Sequence, residues 1–148
     1  LVELLVVVAM VGILLAVALP SFNDSVRKSR RAEAQAAVVL AQQAQERFRG
    51  NNASYAASLT AAPTATPPGL GLPGTTPGGY YTMSIASADA ISYVVTAVAV
   101  SGKSQANDSQ CKSMAARMNG GNITYAGCGS CSSFSASDFA ATHVCWAQ

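Results

Sequence analysis

Apolar and polar positions follow four rhythms along this chain, and each predicts a different element. From Leu4 to Leu19 the run LLVVVAMVGILLAVAL has no charged or amide side chain, which predicts a helix apolar on every side. Glu3 precedes the run and Pro20 closes it. From Val26 to Phe48, Ala32, Ala36, Val39, Leu40, Ala44 and Phe48 recur three and four apart on one face, and Arg31, Gln35, Gln42, Gln45, Glu46 and Arg49 take the other. That spacing predicts an amphipathic helix stopped by Gly50-Asn51-Asn52, with its apolar face on a core. Residues 50–79, with Pro63, Pro67, Pro68, Pro73 and Pro77, carry too many breakers for regular elements and predict a long surface loop. Tyr80–Ala86 and Ile91–Val100 are β-branched and aromatic, and with Ser87-Ala88-Asp89-Ala90 between them they predict a hairpin. Lys112–Met118 predicts a third strand, and Asn119-Gly120-Gly121-Asn122 a tight turn into Ile123-Thr124-Tyr125. A last short segment is expected over Thr142–Trp146. The expected fold is α+β: a continuous helix about 70 Å long, packed through its second half on an antiparallel meander of about four strands.

The apolar end decides where such a chain can live. Leu4 to Asn23 is 20 uncharged residues, enough to cross a hydrocarbon core. Eleven of the sixteen residues from Leu4 to Leu19 are Val, Leu or Ile, and they favour insertion by about 3–7 kcal/mol. A carboxylate costs on the order of 3 kcal/mol there, less near a helix end, so insertion wins with Glu3 as a standing cost. An acid kept at such a position reads as functional, with a cationic partner. A secretory signal would begin basic and end on small residues; Glu3 and Pro20-Ser21-Phe22-Asn23 provide neither. A plain anchor needs no carboxylate. Gly12 and Pro20 weaken the helix from within.

The 148 residues suit one domain, and roughly 100 remain beyond the rod to bury one small core. Charged residues are 11% of the chain and the net charge is +2, which argues against nucleic-acid binding by bulk electrostatics. Arg27, Lys28, Arg30 and Arg31 follow the apolar run and read as a solvated collar facing lipid headgroups or neighbouring heads, with a DNA contact as the minor reading. Cys111, Cys128, Cys131 and Cys145 form an even set, which in an exported chain reads as disulfides with three possible pairings. A redox C-x-x-C needs a strand feeding a helix, but Gly127, Gly129 and Ser130 read as loop. A zinc site needs a second close ligand pair. There is no Gly-rich phosphate loop, and His143 stands alone without a supported triad, so no enzymatic activity, metal or cofactor is expected.

Leu1-Val2-Glu3-Leu4-Leu5, followed by Gly12 and Pro20, resembles the N-terminal segment of type IV pilins and the related pseudopilins. The motif covers about 22 residues; beyond it the likeness is architectural. The resemblance implies a ladle-shaped fold with residues 1–25 as membrane and filament-core segment and 26–148 as head, the head comprising helix 26–49, loop 50–79 and the sheet with a disulfide-bounded C-terminal region, 80–148. It implies a basic leader cut by a prepilin peptidase, with Phe-Thr or Phe-Ser ahead of Leu1 and the Phe N-methylated. The leader's charge would offset the collar, so that the head faces outward. Glu3 would meet the N-terminal amine of a neighbouring subunit and set axial register, while Leu4, Leu5, Val8, Val11 and Leu15 pack the filament core. Extended backbone is expected between Gly12 and Pro20. The resemblance also implies a Cys111–Cys145 staple of the C-terminal region, beside Cys128–Cys131, which sequence proximity favours.

The expected function is then that of a structural pilus subunit, drawn from the inner membrane into a helical surface filament by the assembly machinery, and serving adhesion, motility or DNA uptake. The expected form is the major repeating subunit. The rivals are a minor pilin that binds DNA or a surface at the tip, and a type II secretion pseudopilin.

Overall fold

The computed structural model describes residues 1–131, 133–140 and 143–146. Helix α1 (Val2–Arg49) runs 48 residues without a break, a length of about 70 Å. Its first half reaches a mean hydropathy of 2.9, and none of that window is buried. Every residue from Gly12 to Pro20 is helical, so the extended backbone expected there is absent from the single chain. Backbone accounting gives the reason. Pro20 takes an N–H partner from one carbonyl, whereas unwinding would release several N–H and C=O groups from their helical partners, a far larger loss in any apolar surrounding. The helix ends where the Gly50 N–H donates to the Glu46 carbonyl, 3.1 Å. Arg47 and Arg49 sit in the last turn, where cations oppose the helix dipole.

Residues 50–79 hold no helix and no strand beyond a single bridge from Thr75 to Thr82. The segment is nonetheless stitched to itself. Leu70 N–H donates to the Ser58 carbonyl (3.0 Å), Gly71 to Ala61 (2.8 Å) and Leu72 to Leu59 (2.9 Å). Ala56 and Leu59 drop into the core.

Four strands follow: β1 (Tyr81–Ala88), β2 (Ser92–Ala99), β3 (Ser113–Asn119) and β4 (Asn122–Cys128), antiparallel in the order β1-β2-β3-β4. The expected meander is therefore present, with ends shifted by a few residues. Gly120 and Gly121 both hold positive φ, 55° and 90°, as a two-residue turn between twisted strands requires. Of the expected last segment, Thr142 lies outside the described residues.

Alternate strand residues point to the helix: Tyr81 and Met83, Tyr93, Val95 and Ala97, Met114, Ala116 and Met118. The helix face that meets them is mostly not the expected one, although of the expected set Ala44 is buried and Phe48 half-buried. Ala34, Val38 and Gln45 are fully buried, whereas Val39 and Leu40 are 42% and 46% exposed. Ala32 and Ala36 also face outward. Much of the polar side assigned to solvent turns inward: Arg31, Gln35 and Gln45 find partners there, whereas Gln42 is buried with its Nε2 unpaired and Glu46 stays exposed. Gln45 Nε2 donates to the Ala56 carbonyl and its Oε1 accepts from the Ala56 N–H, both at 2.9 Å. A buried amide paired at both ends carries little desolvation penalty, and small Ala34 and Ala41 let the helix lie close to the sheet.

The head has two ends. β1 and β3 start, and β2 and β4 finish, at the end nearer the apolar half. A short 3-10 turn, Ser104–Asn107, lies there too. The far end holds the C-terminus of α1 and the β1–β2 and β3–β4 turns, joined by the Gly120 N–H donating to the Ile91 carbonyl, 3.0 Å.

Candidate assembly rod, near-end collar and far-end cleft

The apolar half of α1 presents a continuous surface. Leu4, Leu5, Val8, Val11 and Leu15, expected in a filament core, are all exposed. Glu3 lies in the first turn of α1 beside Leu1, Leu4 and Val7. Its carboxylate joins neither of the ion pairs found among the described residues.

The basic cluster is not uniformly a solvated collar, because the head claims part of it. Arg31 makes a two-pronged pair with Asp108, Nε to Oδ2 and Nη2 to Oδ1, both at 2.7 Å. Asp108 is 2% exposed and also accepts from Gln105 Nε2 (2.8 Å) and from the Gln110 and Cys111 N–H groups (3.0 Å each). Burial pushes this carboxyl up, but the Arg31 guanidinium and the two backbone donors outweigh it and hold the group below the usual carboxylate range. Gln105 reaches on to the Tyr81 hydroxyl (2.9 Å), which donates to the Cys111 carbonyl (2.9 Å). Burial pushes the Tyr81 phenol up to about 12, keeping it protonated as a donor.

Arg30 is held differently. Its guanidinium lies 3.8 Å from the centre of the Tyr80 ring, with Lys103 Nζ at 5.8 Å from the same ring. Arg30 Nη2 donates to the Tyr80 hydroxyl (3.1 Å) and Nη1 to the Ser104 hydroxyl. Arg27 pairs loosely with exposed Asp24, 3.5 Å, and Lys28 stays exposed. Lys103 and Tyr80 had no sequence signal tying them to the cluster, since chain distance hides that proximity.

The C-terminal region is fastened at the same end. Cys111 is bonded to Cys145 across a separation of 34 residues, and Cys128 to Cys131 across three. Glycines make room: a Cβ on Gly127 would strike the Cys145 sulfur, and one on Gly129 the Ser109 carbonyl. Gln35 Nε2 donates to the Cys145 carbonyl at 2.6 Å, so the staple is tied to α1 as well. Trp146 packs on Tyr125, ring centres 4.6 Å apart, and its Nε1 donates to the Ala126 carbonyl, 3.0 Å. His143 Nδ1 accepts the Cys145 N–H at 3.3 Å. Among the described residues no group of three His, Cys, Asp or Glu side chains is placed to hold a metal ion.

At the far end, α1 and the Pro-rich loop enclose a cleft of about 360 Å³ lined by Arg47, Phe48, Asn51, Asn52, Pro63 and Leu70 among others. Arg49 is fixed beside it, Nε to the Ala90 carbonyl (3.1 Å) and Nη1 to the Asn52 carbonyl (2.7 Å). Arg47 and Asn51 face solvent, and Phe48 is half-buried. The sequence signal at Asn51-Asn52 was that of a helix stop, which concealed their second use as cleft wall.

Residues 20–115 match the family described as type IV minor pilin ComP, DNA uptake sequence receptor. Comparison with curated proteins found no match at a significant level.

Proposed function

Because the chain belongs to the type IV minor pilin family of ComP, we propose that it is held in the inner membrane by residues 1–25, drawn into a pilus as a minor subunit, and there captures DNA through its far end. The observation that carries assembly is the apolar half of α1, joined to a head with its own core yet buried nowhere in its own chain. Such a surface cannot stay in water. Moving it from lipid into a bundle of like helices exchanges one apolar environment for another, so transfer in either direction has a small free-energy change. The contact between successive subunits is heterologous and does not close, which builds a filament. Membership in a family of minor pilins favours this reading over the abundant repeating subunit expected from sequence.

DNA capture rests on the family and on the chemistry of the far-end cleft. A guanidinium and side-chain amides are the groups that read base edges, and an aromatic ring beside them offers a stacking surface. In the membrane or in a fibre, the near end faces lipid or another subunit, and the far end faces outward. The far-end cations Arg47 and Arg49 stand beside the carboxylates Glu46 and Asp89, so few phosphates are neutralised there.

The test is fluorescence anisotropy with labelled duplex DNA and the full chain in mild detergent. Binding is expected with a shallow salt dependence, a log–log slope of about −1 to −2. Arg47→Ala is expected to weaken it roughly tenfold. No binding to any duplex sinks the capture role, and a slope near −5 sinks its assignment to the far end. Mass spectrometry of sheared surface fibres checks incorporation, with the chain expected well below the amount of the principal subunit.

A further inference from the structure

The head's near end carries an excess of positive charge that neither its own core nor the far-end reading uses. Arg27, Lys28, Arg30, Arg31, Lys103 and Lys112 gather there against Asp24, Glu33 and Asp108. Asp108 is consumed by Arg31 and Asp24 offsets Arg27 in part. Between α1 and residues 108–110 lies a cleft of about 250 Å³ whose polar wall has the cations Arg27, Lys28 and Arg31, the carboxylates Asp24 and Asp108, and Ser109 and Gln110. Beside it, across Lys28, a second cleft is lined by Ala32, Val144 and Cys145. Val144 is 61% exposed and Phe22 66% exposed. Cations interleaved with isolated apolar side chains are the composition of a membrane interface.

We propose that this near end is a docking surface for anionic phospholipid headgroups, seating the head on the bilayer while the subunit awaits assembly. Position is the first argument. If the hydrocarbon ends near Phe22, Arg27 lies about 8 Å further along α1 and Arg31 about 14 Å. The headgroup zone is roughly 5–8 Å deep on each side. Helical side chains lean toward the N-terminus, so Arg27 and Lys28 lean back into that zone. Lys103 sits at the level of Arg30, both being gathered on the Tyr80 ring, about 12 Å past Phe22, just beyond the headgroup zone but within a Debye length of it. Charge is the second argument: each cation brought to an anionic surface contributes roughly fivefold to binding. DNA is the less favoured occupant, because a duplex on this end would have to occupy the layer the membrane fills.

The proposal rests on residues 1–25 crossing the membrane, and the experiment separates the two. The full chain is placed in nanodiscs of phosphatidylcholine alone, or of phosphatidylcholine with about 30% phosphatidylglycerol. Amine acetylation then reads Lys28 and Lys103. Both are expected to react several-fold more slowly in the anionic discs, with the difference removed by high salt as screening requires. A variant carrying R27Q, R30Q and K28Q is expected to lose the protection of Lys103, while unchanged acetylation of Lys112 in detergent shows that its head is intact. Equal reactivity in the two discs overturns the proposal, as does protection by added duplex DNA without any by anionic lipid. A chain that enters neither kind of disc overturns the membrane-spanning reading itself.

Discussion

Asp108 gathers five donors in one place: two from Arg31, one from Gln105, and the Gln110 and Cys111 N–H groups. It joins helix α1 to the loop that starts the disulfide region, so its charge state sets the firmness of that joint. Arg31→Ala would leave a buried carboxylate without its counter-ion. The expected loss is about 3 kcal/mol, at the low end for a broken buried pair because Arg31 keeps some solvent contact. The sign with pH follows from the direction of the shift. Asp108 has its folded pKa below its unfolded one, so its contribution is complete above about pH 4 and is lost as pH falls through the folded value. Urea unfolding of the full chain in mild detergent, followed by Trp146 fluorescence, should therefore show the wild-type advantage over Arg31→Ala at pH 7 shrinking by pH 3. A difference that stays constant would mean that Arg31 acts by packing alone. Glu3 is the opposite kind of residue, a carboxylate that joins no ion pair among the described residues. Glu3→Ala is expected to abolish or strongly reduce incorporation into sheared pili while the head keeps its fold. Normal incorporation would refute a role in register.

Helix α1 shows what an apolar pattern can and cannot convey at the scale of an element. Its existence, length and stop were readable from Leu4–Leu19, the three-and-four spacing and Gly50. Its rotation was not. An Ala-rich helix has two faces of similar polarity, and counting apolar residues chose Ala32, Ala36, Val39 and Leu40. The face that docks is chosen by bonds formed with partners outside the helix, one just beyond it and two far along the chain: Gln45 with Ala56, Gln35 with Cys145, Arg31 with Asp108. No periodicity encodes those partners. The collar was legible as a cluster but not as a site for the same reason, since Tyr80 and Lys103 reach it only through the fold. The strands were legible because alternation and the Asn-Gly-Gly-Asn turn are local signals. The rotation makes a direct prediction. Val38→Ala, at a fully buried position, should cost about 2 kcal/mol. Val39→Ser and Leu40→Ser should each change head stability by less than about 0.5 kcal/mol. Equal costs would place the other face on the sheet.

The two halves of the molecule are stabilised by different means. The rod needs no partner within its own chain, because a helix satisfies its own backbone in lipid. The head must hold together in water with a modest core, and the disulfides supplement that core. Their contributions should differ in a definite order. In the chain-entropy account a cross-link stabilises more as the loop it closes grows. Cys111–Cys145 spans 34 residues and Cys128–Cys131 spans three, which gives about 4 and about 2 kcal/mol respectively. The longer staple also holds the Cys145 carbonyl against Gln35 and keeps Trp146 over Tyr125, so its loss should loosen the helix–sheet contact as well as the C-terminus. Replacing Cys111 and Cys145 by Ser should therefore lower the thermal midpoint of the full chain in detergent more than replacing Cys128 and Cys131. Hydrogen exchange should rise along residues 104–111 in the first variant and stay low there in the second. The reverse order would mean that the short bridge beside Ser109 carries the near end, and that the long one only tethers the end of the chain.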